Sequence, residues 1–169
     1  MYIEAMTRPA LFSTLSALCL FASTTNACFG QLQTVSIQDL EVRMANEGKL
    51  SLAFFHADWC TICDGMRRTT LSEPRVVEML NTHFLFLPFD AEQRESIDFA
   101  GQTFRYRPNG STSGMHEWAM ELATIDGQIQ FPTLTAFNAQ HEIVFQHQGL
   151  LAPDALMVVL EELLAVQRN

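Results

Sequence analysis

The sequence predicts an α/β sandwich built on a mixed sheet, from three observations. Apolar runs of strand length alternate with amphipathic stretches of helix length along the chain. The first two strand-like runs are separated by a helical stretch, which implies a right-handed crossover and a parallel pair. The last two are separated only by a short turn, which implies an antiparallel pair in the same fold.

Each element has a local reason. Ser36 before Ile37, with Asp39 three residues later, is a helix start, and Leu40, Val42 and Met44 give that helix an apolar side until Gly48 ends it. Leu50 to His56 is short and almost wholly apolar, as a strand covered on both faces should be. The chain turns at Ala57-Asp58-Trp59 and enters a helix at Cys60; Ser72-Glu73-Pro74 ends that helix and begins another, carrying Val76, Val77, Met79 and Leu80. Phe84 to Phe89 is the second strand, closed by Asp90. Arg105 to Ser111 reads as a turn-rich loop and Met115 to Ile125 as a helix broken by Asp126-Gly127. Thr133–Phe137 and Ile143–His147 are strands around an Asn138-Ala139-Gln140 turn, with His141, Ile143, Phe145 and His147 on one face by alternation. Pro153 to Val166 is an amphipathic closing helix with Leu156, Leu160, Leu163 and Leu164 inward.

The chain has 169 residues, enough for one domain with a substantial core and too few for two ordinary ones. Its 48% hydrophobic and 17% charged residues are those of a globular protein. A formal charge of −9 leaves no basic stripe to meet phosphates, which excludes nucleic acid as the expected partner. Residues 1–27 have the layout of a cleavable signal peptide: Arg8, an apolar run from Leu11 to Ala22, then Thr25 and Ala27 as small residues before the cut. Glu4 fits such a leader poorly, so translation from Met6 is the alternative start. A short tail at 28–33 and a domain at 34–169 follow, with an insertion at about 91–130. The mature protein is expected in the periplasm or secreted. Cleavage after Ala27 would expose Cys28 to lipid attachment, although Thr25 stands where bacterial lipoprotein signals usually carry Leu.

Four cysteines are present: Cys19 in the leader, Cys28 at the mature terminus, and Cys60 and Cys63 as a closely spaced pair. That distribution does not make a disulfide-stapled scaffold. At a helix start, Cys60 meets unpaired backbone N–H groups and the positive end of the helix dipole, which stabilise its thiolate and make it the nucleophile. Cys63 comes round to the same side one turn later, within disulfide reach, and can resolve a mixed disulfide. Trp59 covers one side of the sulfurs.

The segment Ala57-Asp58-Trp59-Cys60-Thr61-Ile62-Cys63 resembles the active-site segment of the thioredoxin superfamily, and Phe131-Pro132-Thr133 resembles its second signature. The resemblance covers the chain from about residue 34 onward and implies a thioredoxin-like fold, a central mixed β-sheet flanked by helices. It implies a thiol–disulfide oxidoreductase with Cys60 as nucleophile, Cys63 as resolving thiol, and Trp59, Phe131 and a cis Pro132 in the substrate groove. It implies no cofactor and no metal, with protein thiols and disulfides as substrates. Pro108-Asn109-Gly110 with His116-Glu117 is similar to exported bacterial members that carry an insertion before the cis-proline. Two departures matter. Phe54 stands where thioredoxin has a buried Asp, which leaves Asp58 as the candidate proton relay. Thr61-Ile62 lacks the His of strong oxidants, which favours a reductant, and an exported reductant needs a membrane-bound electron donor.

Other readings stay open. The same two thiolates suit a soft metal such as Cu(I), with His56 as a third ligand, in a copper-delivery module. An adaptor role would leave the thiols incidental. His116-Glu117 begins a zinc-protease pattern, but Met120 stands where the second His belongs, so the pair more simply starts a helix that turns Trp118 inward.

Overall fold

The computed structural model describes residues 30–110 and 113–167. The expected leader, its cleavage site, Cys19 and Cys28 lie outside the described residues.

Helix α1 (Ile37–Glu47) begins with the Ser36 side chain accepting the Asp39 N–H and ends at Gly48 in the left-handed region, φ 62°. It buries Ile37, Leu40 and Met44, whereas Val42, expected inward, is exposed on the far side. Strand β1 (Leu50–His56) is buried along six of its seven positions. Helix α2 (Thr61–Arg68) stops before Ser72, earlier than expected. A 3₁₀ turn over Thr70–Ser72 intervenes before α3 (Pro74–His83), whose N-cap is Glu73 with Pro74 at its first turn. Strand β2 (Phe84–Asp90) pairs in parallel with β1, Leu50 opposite Phe84 and His56 opposite Asp90.

The next stretch departs from expectation. Between β2 and the last two strands lie β3 (Ile97–Phe99), β4 (Gln102–Phe104), β5 (Tyr106–Pro108), β6 (Gly114–His116), α4 (Glu117–Leu122), β7 (Thr124–Ile125) and β8 (Gln128–Ile129). The six strands pair as three small antiparallel hairpins. Part of the supposed loop at Arg105–Ser111 is therefore a strand. The helix expected over Met115–Ile125 is six residues long, because Met115 and His116 pair with β5 and Thr124 and Ile125 begin another hairpin. Asp126 and Gly127, read only as a helix breaker, both take positive φ (51° and 75°), the backbone of a two-residue hairpin turn.

Strands β9 (Thr133–Phe137) and β10 (Ile143–Gln148) complete a four-stranded mixed sheet in the order β10-β9-β1-β2, with β9 antiparallel to both neighbours. A register shift between Ile143 and Phe145, and a left-handed His141 (φ 63°) in the turn, break the face expected for residues 141–147. Helix α5 (Pro153–Gln167) closes the fold and buries Leu156, Leu160 and Leu163.

Because β1 is interior, its side chains feed two cores by alternation. Ala53 and Phe55 join α1, Leu87, Phe89 and Trp118 on one face. Leu50, Leu52 and Phe54 join α2, α3 and α5 on the other, the face that also holds Cys60 and Cys63.

Candidate active site

The site forms where β1 runs out. Beyond His56 the chain must leave the sheet and begin α2. A backbone bond from the Cys60 N–H to the Ala57 carbonyl oxygen (3.0 Å) closes that turn and places Cys60 at the N-cap of α2. Its Sγ accepts the Cys63 N–H at 3.1 Å, so the sulfur does what a Ser or Asp oxygen does at other helix starts. Cys60 and Cys63 are joined in a disulfide, S–S 2.06 Å and Cα–Cα 5.2 Å. Cys60 is 5% exposed and Cys63 is fully buried, so an attacking sulfur reaches Cys60 first. When the pair is reduced, the same N–H and the helix N-terminus favour the thiolate of Cys60 over that of Cys63.

The rim around the sulfurs is apolar and aromatic. Trp59 is 66% exposed and Ile62 54% exposed, unusual positions for large apolar side chains. The Trp59 ring stands edge-on to Phe131, centroids 6.1 Å apart, and its indole N–H donates to Glu92 Oε1 at 3.1 Å. The Phe131–Pro132 peptide bond is cis, and the Pro132 carbonyl accepts the Gly149 N–H at 2.8 Å. Thr133, the next residue, lies opposite Phe55 near the carboxyl end of β1, which brings the Pro132 segment to the end of the sheet where the disulfide lies.

Of the residues singled out from sequence, Cys60, Cys63, Trp59, Phe131 and Pro132 gather here. Asp58 is exposed at the tip of the turn. His56 is a half-buried titratable group on this side of the sheet, and its Nδ1 is enclosed and has no hydrogen-bond partner. Burial, and then the positive charge of Arg67, hold His56 below the ordinary histidine pKa. Alternation along Leu52, Phe54 and His56 was the signal available for it. The Glu92 tether and the outward turn of Ile62 had none, because both depend on segments meeting in space. Among the described residues, no three His, Cys, Asp or Glu side chains converge as a metal-binding group.

His116 is accounted for by packing. It is fully buried at the N-cap of α4, with Nδ1 accepting the Trp118 N–H at 3.2 Å and Nε2 3.0 Å from the Glu95 carbonyl oxygen. A neutral ring carrying its proton on Nε2 satisfies both partners, and burial keeps it neutral by lowering its pKa.

Residues 38–164 match the family model of the thioredoxin-like domain. The chain belongs to that family. Comparison with curated protein sequences finds no match. Among solved structures, this thioredoxin-like domain is similar to one titled DsbH Oxidoreductase, at TM-score 0.56 and 16% identity over 79% of this chain and 84% of that one. It is similar to a thioredoxin from Thermus thermophilus at TM-score 0.53 and 19% identity, over 79% of this chain and 88% of that one. Chloroplastic thioredoxin z gives TM-score 0.51 and 16% identity, over 80% of this chain and 96% of that one. At these identities the likeness is one of fold.

Proposed function

We propose that this protein is an exported thiol–disulfide oxidoreductase that reduces or exchanges disulfides in proteins through Cys60 and Cys63. The observation that carries this reading is the disulfide itself. Its outer sulfur sits at a helix N-cap and accepts a backbone N–H, beside an exposed Trp59–Phe131 rim. Likeness of fold to the DsbH oxidoreductase supports it.

In the reductive direction the Cys60 thiolate attacks one sulfur of a substrate disulfide. A Cys60–substrate bond forms and the other substrate sulfur leaves as a thiolate. Cys63 then attacks Cys60 Sγ, the intramolecular disulfide forms, and the second substrate sulfur leaves with the electron pair. Two electrons have passed to the substrate, and a donor must return two to this chain. Oxidation of a substrate dithiol is the same sequence reversed. Trp59, Ile62 and Phe131 would hold the residues flanking the substrate cysteine, and the backbone before Pro132 would pair with them in extended form. Asp58 is a proton-relay candidate at the mouth of the site.

A cleaved leader at 1–27 would send the domain at 34–169 to the periplasm or outside the cell, where its electron donor would be membrane-bound. The mass of the protein recovered from the exported fraction tests cleavage after Ala27 and would reveal a lipid on Cys28.

The deciding experiment equilibrates the purified mature protein with glutathione or dithiothreitol buffers and reads the Cys60–Cys63 disulfide. A reversible couple near the thioredoxin value of about −270 mV supports a reductase, and one near about −120 mV makes the protein a disulfide donor or exchanger. Absence of any reversible disulfide overturns the enzyme reading in favour of Cu(I) binding by the two thiolates.

A further inference from the structure

Resolution of the mixed disulfide requires Cys63 to lose its thiol proton, yet Cys63 is fully buried and Phe54, not a carboxylate, occupies the strand below. Leu52, Phe54 and His56 alternate onto one face of β1, and Leu52 and Phe54 pack in the same core as Cys60 and Cys63. The His56 ring lies 5.7 Å from the Phe54 ring, centroid to centroid. The Arg67 guanidinium stands over the Phe54 ring at 5.5 Å, and Arg67 is four residues after Cys63 on the same face of α2. Phe54 thus links His56 and Arg67 to the core that holds Cys63. The His56 Nδ1 is enclosed and has no protein hydrogen-bond partner while the cysteines are oxidised, so nothing in the fold occupies its lone pair.

We infer that His56 accepts the proton of the Cys63 thiol when Cys63 attacks the Cys60 mixed disulfide. The inference rests on the dithiol exchange proposed above. The Cys63 S–H bond breaks and its proton goes to Nδ1. The sulfur's electron pair forms the Cys60–Cys63 bond, the Cys60–substrate bond breaks, and the departing thiolate or solvent then takes the proton from the imidazolium. The charged groups around the ring are Arg67 and Asp64 on α2, Asp58 in the turn and Asp90 opposite on β2. Burial and Arg67 disfavour the imidazolium, and the three carboxylates favour it. The ring is therefore a free base near neutral pH, able to take a proton and quick to give it up.

The test uses the reduced mature protein and a symmetrical nitroaromatic disulfide whose thiolate is yellow. Attack by Cys60 liberates one equivalent, and resolution by Cys63 liberates a second, so the two steps are read separately by stopped flow. In His56→Phe the second release should slow by about a hundredfold or more at neutral pH, within the range of a lost general base, while the first is unchanged. The deficit should shrink as pH rises and Cys63 ionises unaided, which a packing defect would not produce. Equal slowing of both releases, an unchanged pH profile, or loss of the second release in Asp58→Asn instead of His56→Phe overturns the assignment. If the wild-type protein liberates only one equivalent, the dithiol exchange itself fails, which is a separate result. Nitrogen NMR of wild-type His56 needs no variant. Its Nδ1 resonance should move between the oxidised and reduced protein, and a fixed resonance also overturns the assignment.

Discussion

The strand that leads into the disulfide and the excursion at residues 91–130 are built on opposite plans. β1 pairs along its full seven residues with β2 and feeds a core on each face. No strand of the excursion exceeds three residues. Backbone bonds tie it to the sheet near its start, Ala91 N–H to the His56 carbonyl oxygen and His116 N–H to that of Ala91, both 2.8 Å, and side chains of Thr135, Gln146 and Gln148 on β9 and β10 donate to carbonyl oxygens of Leu122, Ala123 and Gln128. Its largest buried side chain is Trp118, which packs on Phe55, Phe89 and Phe137 of the sheet and on Phe99 of the excursion at ring separations of 4.7 to 6.2 Å, and Ile97, Phe99, Phe104 and Leu122 join it in the same core. β1 is held by continuous backbone ladders on both edges, and the excursion by side chains buried on one face and by side-chain hydrogen bonds to β9 and β10.

Trp118→Ala is the sharpest way to break that contrast. Removing the ring should cost about 3–5 kcal/mol in urea unfolding, the usual scale for truncating a buried aromatic residue. Hydrogen exchange should show amides of residues 91–130 losing protection well before those of β1. If β1 loses protection in step, the two regions are one cooperative unit and the contrast fails.

A pair of glycines gives the next effect. A Cβ on Gly114 would lie 2.5 Å from the Arg107 carbonyl oxygen and would run into the Tyr106 ring, whereas a Cβ on Gly65 in α2 meets nothing within 4 Å. Gly114→Ala should therefore destabilise by about 1–3 kcal/mol through overpacking. Gly65→Ala should be stabilising by up to about 1 kcal/mol through helix propensity. Thermal midpoints of the two variants moving in the same direction would contradict this account of the β5–β6 approach.

The smallest effect is with pH. His116 has its pKa lowered in the fold by burial, so the unfolded chain binds the extra proton first. Its contribution is fully present above the ordinary value of 6.5 and is lost as pH falls below it toward the folded value. His56, also lowered, acts with the same sign. Urea midpoints should fall between neutral and mildly acidic pH, less steeply in His116→Gln; an equal slope would assign the effect to other groups.

The long elements were legible because their signals are local. The Ser36 cap, the apolar run of β1, Pro74 at a helix start and the leucines of α5 each sit within a few residues of what they specify. The excursion was not. Its two- and three-residue strands carry too few residues for a period, and tertiary contacts chose strand over helix at Met115-His116 and at Thr124-Ile125. Asn109-Gly110 and Asp126-Gly127 are local turn signals there, but a turn does not say which segments it joins.

The site divides the same way. Spacing and position alone determined that Cys60 and Cys63 share one side of a helix start, because a helix turn and a helix dipole are properties of consecutive residues. Only the tertiary structure decided that Trp59 stands on Phe131 and is held by Glu92, that Ile62 faces out, and that Arg67 of α2 lies over Phe54 beside His56. Those pairs are separated along the chain by up to 72 residues, Trp59 to Phe131, or depend on which face a helix buries. No local preference records such distances, and burial in a shared core is what brings these residues together.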